Sequence, residues 1–390
     1  MRKGWEYKKL GEVLETTSGG TPSKSHKEYY EGGTIPWLRS GEVSKGDIYD
    51  AELYITEEGL KKSSAKLFPI DTVLIAMYGA TVGQVGILKS TMCTNQAICG
   101  ILPNKDFHPN FLKYVLLANK KNYLKQAIGG AQPNISQQVI KSTYIPIVKF
   151  SEQESVVSEL DKINELIRLK KEQLKDFDNL AQSIFYEMFG DPVENEMGWE
   201  VKKLGDNVEE MFLGPFGSAL KVDSYVPKED SYCMVYEQKH AIKKSLNLEN
   251  HYINKEKFDS LKRFCVMPGD FIMSCRGTIG KLYQIPPGAP MGIIHPSLMK
   301  IRLKQNGYDS TYFNFMLVKI VAIESTNGNC VQMAITAKAL SKKELPLPPL
   351  PLQHLFAHRI EQIEHQKSEV QKAITDLETL LASRMQYWFE

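Results

Sequence analysis

Arg276 occupies a position in the sequence from which a side chain could make specific hydrogen bonds. It follows an apolar run at residues 271–275 and precedes Gly277-Thr278-Ile279-Gly280, a pattern typical of a strand followed by a tight turn. A strand end is a rigid base for a guanidinium, which can form two parallel hydrogen bonds with guanine. A similar run at residues 71–83 places Tyr78 at the corresponding position.

Other side chains along the chain could make paired hydrogen bonds with bases or contact phosphates. The candidates for base contacts are Arg39, Gln96, Gln132 and Asn134 in the first half of the chain, and Asn329 and Gln332 in the second. The candidates for phosphate contacts include Lys24, Lys27 and Lys281. For any one of these residues, an ordinary surface side chain is the more frequent outcome. Together with Arg276 and Tyr78 they form the set of residues that we predict to contact DNA.

Sequence motifs of catalysis and cofactor binding are missing. Gly277-Thr278-Ile279-Gly280-Lys281 has two residues too few between its glycines for a phosphate-binding loop. The sequence has no Gly-x-Gly-x-x-Gly, no Gly-x-Ser-x-Gly and no Asn/Asp-Pro-Pro-Tyr/Phe. His354, His358 and His365 lie off the apolar stripe of the last predicted helix, and the six cysteines include no Cys-x-x-Cys. We therefore expect no catalytic residue, bound cofactor or metal on this chain.

A repeat spans the chain and determines how the candidate residues are positioned. Residues 4–12 (GWEYKKLGE) return as residues 198–206 (GWEVKKLGD), with seven of the nine positions identical. Farther on, Tyr144-Ile145-Pro146 matches Glu344-Leu345-Pro346. The sequence predicts an α+β fold in which two similar globular modules, residues 1–150 and 199–344, are arranged in tandem.

Each copy ends in a segment with the apolar spacing of a coiled coil. The first predicted helix covers residues 151–190 and the second covers residues 345–390, with a polar link at residues 191–198 between the first helix and the second module. The apolar stripe is too narrow for a helix that lies on a large core, so we expect the two helices to pair. The predicted contact residues are Leu160, Ile163, Ile167, Leu174, Phe177, Ile360, Ile363, Ile374, Leu377 and Leu381.

The duplication also predicts the direction of the two helices. A pseudo-two-fold axis that crosses the pair would make the helices antiparallel, because such an axis reverses the direction of a rod. Phe189 is joined to Trp199 by the short link, so symmetry places Phe389 near Trp5. We therefore expect the two ends of the chain to be neighbours.

The distribution of charge distinguishes the modules from the first helix. Residues 1–150 carry 19 basic and 13 acidic side chains (net +6), residues 199–344 carry 20 and 15 (net +5), and residues 151–198 carry 5 and 12 (net −7). Basic modules favour a nucleic-acid partner, although excesses this small also arise from ordinary variation in surface charge. No apolar run approaches the roughly 20 residues of a membrane helix, and the first residues lack a signal peptide's apolar stretch, so we expect a cytoplasmic protein without a membrane partner.

The chain resembles the specificity subunits of type I restriction-modification systems along nearly its whole length. The resemblance rests on the openings at Trp5 and Trp199, on the two helices, and on the segments Gly19-Gly20-Thr21-Pro22-Ser23, Ile35-Pro36-Trp37-Leu38, Phe189-Gly190-Asp191-Pro192, Gly214-Pro215-Phe216-Gly217-Ser218 and Gly277-Thr278-Ile279-Gly280. It implies that each module is a target-recognition domain for one half of a split double-stranded DNA site. It also implies that the helices set the spacing of the two halves and dock two modification (methyltransferase) subunits.

The same resemblance implies which cofactors and further partners the assembly uses. Modification subunits would supply S-adenosylmethionine, and restriction (motor-nuclease) subunits would join with ATP and Mg. Two other functions stay open on the residues alone. A self-contained DNA methyltransferase or nuclease would modify or cut DNA without partners, whereas a coiled-coil adaptor would not bind DNA.

Overall fold

The computed structural model describes residues 2, 4–129, 133–305, 307–326 and 335–390. The chain forms two compact units, which we call the first unit (Met1–Glu172 with Gln371–Glu390) and the second unit (Gln173–Val370). Each unit contains one globular module and one half of each of two long helices. The predicted α+β fold, with two modules and two long helices, is confirmed.

The first module combines short strands with short helices. Its strands are β1 (Glu6–Lys9), β2 (Thr16–Ser18), β3 (Ile35–Leu38), β4 (Asp47–Ile48), β5 (Tyr54–Ile55), β6 (Leu67–Phe68), β7 (Val73–Ala76), β8 (Val85–Leu88), β9 (Met92–Thr94), β10 (Ile98–Ile101) and β11 (Tyr144–Ile147). Its helices are α1 (Leu10–Val13), α2 (Glu57–Lys61), α3 (Pro109–Ala118), α4 (Lys120–Gln126) and α5 (Gln137–Lys141), and the long helix α6 (Phe150–Phe189) follows.

The second module has a similar order of elements. Its strands are β12 (Val201–Lys203), β13 (Val208–Leu213), β14 (Cys233–Tyr236), β15 (His251–Ile253), β16 (Cys265–Val266), β17 (Phe271–Ser274), β18 (Leu282–Gln284), β19 (Gly292–Ile294), β20 (Leu298–Leu303) and β21 (Glu344–Pro346). Its helices are α7 (Gln238–Lys243), α8 (Lys255–Leu261), α9 (Ser310–Thr326) and α10 (Ala337–Ser341), followed by the long helix α11 (Leu350–Phe389).

The strand order is the same in the two modules except at the edge strand β4, which has no counterpart among the described strands of the second module. One sheet of the first module has the order β2-β10-β7-β8-β4 and another has the order β5-β3-β9-β6. Their counterparts in the second module are β13-β20-β17-β18 and β15-β14-β19-β16. In both modules the motifs that identify the repeat are strand partners, because β1 pairs antiparallel with β11 and β12 pairs antiparallel with β21. The repeat in the sequence is therefore a repeat of the same topology.

The core of each unit lies between a sheet, a module helix and the long helices. In the first unit Ile75 of β7, Phe111 of α3 and Leu160 of α6 are buried in one apolar cluster. The second unit buries Phe271 of β17 and Phe313 of α9 in the equivalent cluster. The halves of the long helices are thus part of the core of each unit, and burial of these aromatic and branched side chains is the main stabilising contribution.

One buried glutamine holds the start of each long helix against its module. These are Gln153 on α6 and Gln353 on α11. The side-chain Nε2 of Gln153 donates to the carbonyls of Asp106 and Val148, and its Oε1 accepts from the backbone N–H of His108. Gln353 at the same position of α11 accepts from the backbone N–H of Asp309 at 2.8 Å. A buried amide without hydrogen-bond partners costs free energy. Each glutamine therefore favours the packing of its long helix on the module in which its amide keeps these hydrogen bonds.

The long helices run antiparallel within each unit, as predicted. In the first unit Glu159 pairs with Arg384, and Lys171 Nζ lies 2.8 Å from Glu378 Oε1, so residue numbers rise on α6 as they fall on α11. In the second unit Lys367 Nζ lies 2.8 Å from Asp178 Oδ1. Of the predicted contact residues, Leu160, Ile163, Ile167, Ile360, Ile363 and Ile374 are buried, and Leu174, Phe177, Leu377 and Leu381 are partly buried.

The ends of the chain meet in the first unit. The indole of Trp5 stacks on Trp388, with ring centroids 5.9 Å apart, and Phe389 meets Phe111 edge to face. The guanidinium of Arg2 lies 4.1 Å from the Trp388 ring, a favourable cation–π distance. The expectation that Phe389 lies near Trp5 is therefore confirmed.

The predicted apolar stripe is too narrow at the end of α6. Phe185 and Phe189 are fully buried, and Ile184 and Met188 beside them are partly buried against the same core. The last turns of α6 contact α11 on one face and the second module on another, so the buried face is wider there. In the part of the chain that the structure describes, no helix combines the length and the apolar character that crossing a bilayer requires.

Candidate nucleic-acid interface

Two loops are joined at the same place in both modules. In the first unit the loop that follows β7 is bonded to the turn between β9 and β10, where the Met77 N–H donates to the Ala97 carbonyl at 2.8 Å. In the second unit the Cys275 N–H donates to the Ser297 carbonyl at 3.0 Å. The rigid strand ends therefore hold two loops side by side in each unit.

A glycine-containing segment lies against the same turn in each module. The N–H of Gly19 donates to Ile98, and that of Gly214 donates to Leu298. A Cβ atom on Gly19 would lie 2.2 Å from the Thr94 carbonyl oxygen, and one on Gly214 would lie 2.3 Å from the His295 carbonyl oxygen. Only glycine permits this approach of two backbones, which explains why both motif segments contain it.

The candidates of the first module that the structure describes gather on one surface. We call this surface, formed by Lys24, Lys27, Arg39, Tyr78, Gln96 and Asn134, the first loop surface. Four of its members, Lys24, Lys27, Arg39 and Gln96, line a cavity of about 600 Å³. The backbones of Tyr78 and Asn134 form a β-bridge, and the Gly79 N–H donates to the Pro133 carbonyl at 2.7 Å. Gln132 lies outside the described residues.

Two side chains of the first loop surface, Arg39 and Gln96, are held within the protein only by exposed hydrogen bonds or ion pairs. Arg39 is half-exposed and bonds Glu52 at 2.6 Å, and this hydrogen bond, with help from Lys45, lowers the pKa of the Glu52 carboxyl. Exposed ion pairs of this kind exchange partners easily. Gln96 accepts a hydrogen bond from the Thr21 hydroxyl and is exposed. Arg39 and Gln96 can therefore turn toward a ligand without a large loss of stability.

Arg276 projects from a well-fixed loop in the second unit. It is exposed, and its carbonyl accepts a hydrogen bond of 2.6 Å from Gln238 Nε2. Gly277 has a φ of 65°, which the turn requires and glycine adopts without strain. The Ser274 hydroxyl closes the loop by accepting from the Lys281 N–H at 2.9 Å. We call the surface formed by Glu237, Gln238, Arg276, Lys281 and His295 the second loop surface.

Tyr78 and Arg276 occupy the same position in the two modules. The strand register pairs Ala76 with Ile98 and Ser274 with Leu298, which places Tyr78 and Arg276 two residues beyond equivalent points. By the same register, Thr72 is the first-module equivalent of Asp270. Gln332 and Asn329 lie outside the described residues.

Glu237 was not predicted from the sequence, although it occupies the position equivalent to Arg39. The registers of β3 with β9 and of β14 with β19 place both residues directly after the strand end. Burial raises the pKa of Glu237, but hydrogen bonds from Lys239 and His251 outweigh burial and lower it. The two units thus carry opposite charges at one position of the same scaffold. No local sequence pattern marks a position that carries Arg in one module and Glu in the other. Only the equivalence of the two positions in the structure identifies Glu237.

Glu237 and His295 make the second loop surface polar, and His251 lies beside it in contact with Glu237. The Tyr225 ring stacks on His251 with centroids 4.5 Å apart, and His251 Nδ1 lies 3.0 Å from the Glu237 carboxylate. Burial lowers the pKa of His295, which favours the neutral form of its ring. Neutral imidazole both donates and accepts hydrogen bonds, which suits a surface that contacts base edges.

The described residues do not form a cluster suited to a metal ion. No group of three or more His, Cys, Asp or Glu side chains comes together within the described ranges. His354, His358 and His365 are all exposed on α11.

A family model described as the type I restriction modification DNA specificity domain matches residues 2–176 and 197–379. The specificity subunit of the type I restriction enzyme MjaIX from Methanocaldococcus jannaschii is 32% identical over 224 residues, which cover 52% of this chain and 51% of the relative. The specificity subunit of EcoR124I/EcoR124II from Escherichia coli is 30% identical over 41% of each chain. This chain thus aligns with about half the length of these two curated relatives.

Other relatives and solved structures match over a greater length. A putative MjaX specificity subunit from Methanocaldococcus jannaschii is 24% identical over 97% of this chain and 92% of its own length. A chain from a structural study of complex assembly and conformational transition in the type I R-M system covers all of this chain and 98% of its own length, at 20% identity and a TM-score of 0.68. The S subunit from M. genitalium gives a TM-score of 0.52 at 13% identity, covering 99% of this chain and 96% of its own. Both structures share the fold described above.

Proposed function

The chain belongs to the type I restriction modification DNA specificity family, and from this premise we propose that it is the subunit that reads the DNA target of a type I restriction-modification complex. Each loop surface would read one half of a split double-stranded site. The chain would have no catalytic activity of its own, and the complex would modify or cut DNA through other subunits.

One observation carries this proposal: the two modules present different side chains at equivalent positions of one scaffold. Arg39 corresponds to Glu237, and Tyr78 corresponds to Arg276. Arginine favours guanine, whereas a carboxylate accepts from the amino group of cytosine. A duplicated scaffold with different side chains at its strand ends is what reading two unlike half-sites requires. An adaptor that does not bind DNA would not need this difference.

The long helices would dock the modification subunits. Leu166 and Leu169 are exposed on the first-unit half of α6, and Leu180 is exposed on its second-unit half. Leu380 on α11 occupies the repeat position equivalent to Leu180 and is exposed as well. The recurrence of an exposed leucine at the repeat-equivalent position of both long helices, and not its exposure alone, supports a contact with another protein. Because the pattern occurs in both units, two modification subunits would bind.

Cofactors in this proposal belong to the partner subunits. The modification subunits would bring S-adenosylmethionine, and restriction subunits would bring ATP and Mg. The target base would have to leave the helix to reach the modification subunit, as enzymes that act on bases require. The role of this chain is to position the complex on the correct sequence.

Replacing Arg276 by Ala should relax the specificity of the second half-site at one base pair. The lost hydrogen bonds should reduce discrimination at that pair by about 1–3 kcal/mol, because a paired contact distinguishes guanine from the other bases. The measurement is the binding free energy of the assembled complex on duplexes that differ at single positions. Lys281→Ala is the control in the same loop, and it should weaken all duplexes equally. Uniform weakening by Arg276→Ala would assign Arg276 to a phosphate.

The proposed function is tested by sequencing methylated DNA from cells that express this chain with its modification subunits. The expected motif has two short specified halves separated by an unspecified spacer. Methylation by the purified chain alone, with S-adenosylmethionine and DNA, would instead support a self-contained enzyme. Sequence-independent binding by the assembled complex at all salt concentrations would contradict a reading function.

A further inference from the structure

Phe216 is the most exposed large apolar side chain in the described part of the chain. Its exposed fraction is 88%. It lies at the tip of the segment 214–218, which follows β13. Isolated exposed apolar residues are common on proteins, so exposure alone does not indicate a contact.

The backbone that carries Phe216 is fixed on both sides. On one side, Gly214 lies against the His295 carbonyl, and its N–H donates to the Leu298 carbonyl at 2.8 Å. On the other side, the Phe216 carbonyl accepts from the Ala219 N–H at 2.8 Å and so closes a short 3-10 turn. The ring is therefore held out from the module by an ordered segment, and it does not sit at the end of a loose loop.

The segment of Phe216 adjoins the loop of Arg276. The turn at residues 295–297 contacts Gly214 at its start, and the Ser297 carbonyl at its end bonds the Cys275 N–H. Cys275 directly precedes Arg276. The exposed ring and the exposed guanidinium thus belong to neighbouring loops of the same unit, at the carboxyl end of β17.

The first unit has a different side chain at this position. Gly19 makes the hydrogen bond that corresponds to that of Gly214, so Thr21 is the equivalent of Phe216. The Thr21 hydroxyl donates to Gln96, which belongs to the first loop surface. The position therefore carries a polar contact in the first unit and an exposed aromatic ring in the second.

We propose that Phe216 makes a direct aromatic contact with the bases of the second half-site. This inference rests on the proposed function, because it takes DNA as the ligand of the second loop surface. A duplex offers apolar surface mainly in its base stack and its thymine methyl groups, and phenylalanine contacts both in protein–DNA complexes. Phe216 would add a specificity contact that the first half-site lacks.

The test uses the chain assembled with its modification subunits and a labelled duplex that carries the methylated motif. Phe216→Ala should weaken binding to this duplex by about tenfold to a hundredfold, the range expected for loss of one aromatic–base contact. Binding to a duplex without the motif should not change. Phe216→Trp keeps an aromatic ring and should retain most of the affinity. Val222→Ala removes another highly exposed apolar side chain of the same unit and should leave both affinities within twofold.

The outcomes separate this inference from the proposed function. Sequence-selective binding by the wild-type complex, combined with an unaffected Phe216→Ala variant, would overturn the inference alone. Failure of Phe216→Ala to assemble with the modification subunits, measured by size-exclusion chromatography, would also overturn it, because Phe216 would then contact protein. A wild-type complex without sequence selectivity would overturn both.

Discussion

Asp270→Asn should lower the free energy of unfolding of the second unit by about 3–5 kcal/mol, since the change removes the buried carboxylate that Arg302 and Lys300 share and leaves Lys300 with the partly exposed Glu210. The Asp270 carboxylate is almost fully buried, and it accepts two hydrogen bonds from Arg302 at 2.6 and 2.8 Å. Lys300 Nζ is also buried, 3.4 Å from Asp270 and 2.5 Å from Glu210. An amide in place of the carboxylate would face its own N–H donors toward the donors of Arg302.

Hydrogen exchange read by mass spectrometry measures this effect, because it reports the opening of the two units separately. Asp71→Asn is the control, since Asp71 is an exposed aspartate of the first unit whose ion pair with Lys89 is partly open to water. It should change the stability of its unit by less than about 1 kcal/mol. Equal effects of the two substitutions would show that the buried network contributes no more than a surface pair.

Phe185→Ala should destabilise the second unit by about 3–5 kcal/mol through the cavity it leaves. The Phe185 ring is buried, and it lies 5.3 to 5.9 Å from the rings of Phe189, Tyr312, Phe315 and Phe356. These rings come from α6, α9 and α11, so the cluster joins the long helices to the module. The loss of stability should appear as faster amide hydrogen exchange in α9 and in the second-unit half of α6.

Leu180→Ala is the matched control for Phe185→Ala on the same helix. Leu180 is half-exposed and lies outside the aromatic cluster, so its removal should cost less than about 0.5 kcal/mol. If both variants have the stability of the wild type, the aromatic cluster is not what fixes α6 to the second module.

The features repeated in the sequence were the ones that could be predicted. Identical openings at Trp5 and Trp199 predicted two copies of one fold, and the coiled-coil spacing predicted two paired helices. The antiparallel direction followed from symmetry, and the stack of Trp5 on Trp388 agrees with it. The place of Arg276 after a strand could be predicted because a strand pattern and a glycine turn define it locally, whereas its contact with DNA stays a prediction.

Features that depend on contacts between distant segments could not be predicted. The last turns of α6, which carry Phe185, pack on both α11 and the second module. A single apolar stripe in the sequence predicts only the contact with α11. Lys300 and Arg302 are charged residues in a strand, but nothing local indicates that Asp270 neutralises them. Glu237 was missed because its equivalence to Arg39 is defined by strand register and not by residue type. An aromatic residue in a sequence usually indicates core, so the exposure of Phe216 was also unexpected.

The most direct test of the central claim, that each module reads one half of a split target, is the methylome of cells expressing a chimera. Residues 1–150 are replaced by the corresponding module of a relative, and the chimera is expressed with the modification subunits. If each module reads one half-site, the motif should stay split, with one half changed to that of the relative and the other half as in the wild type. A motif in which both halves change together, or in which neither half changes, would contradict it.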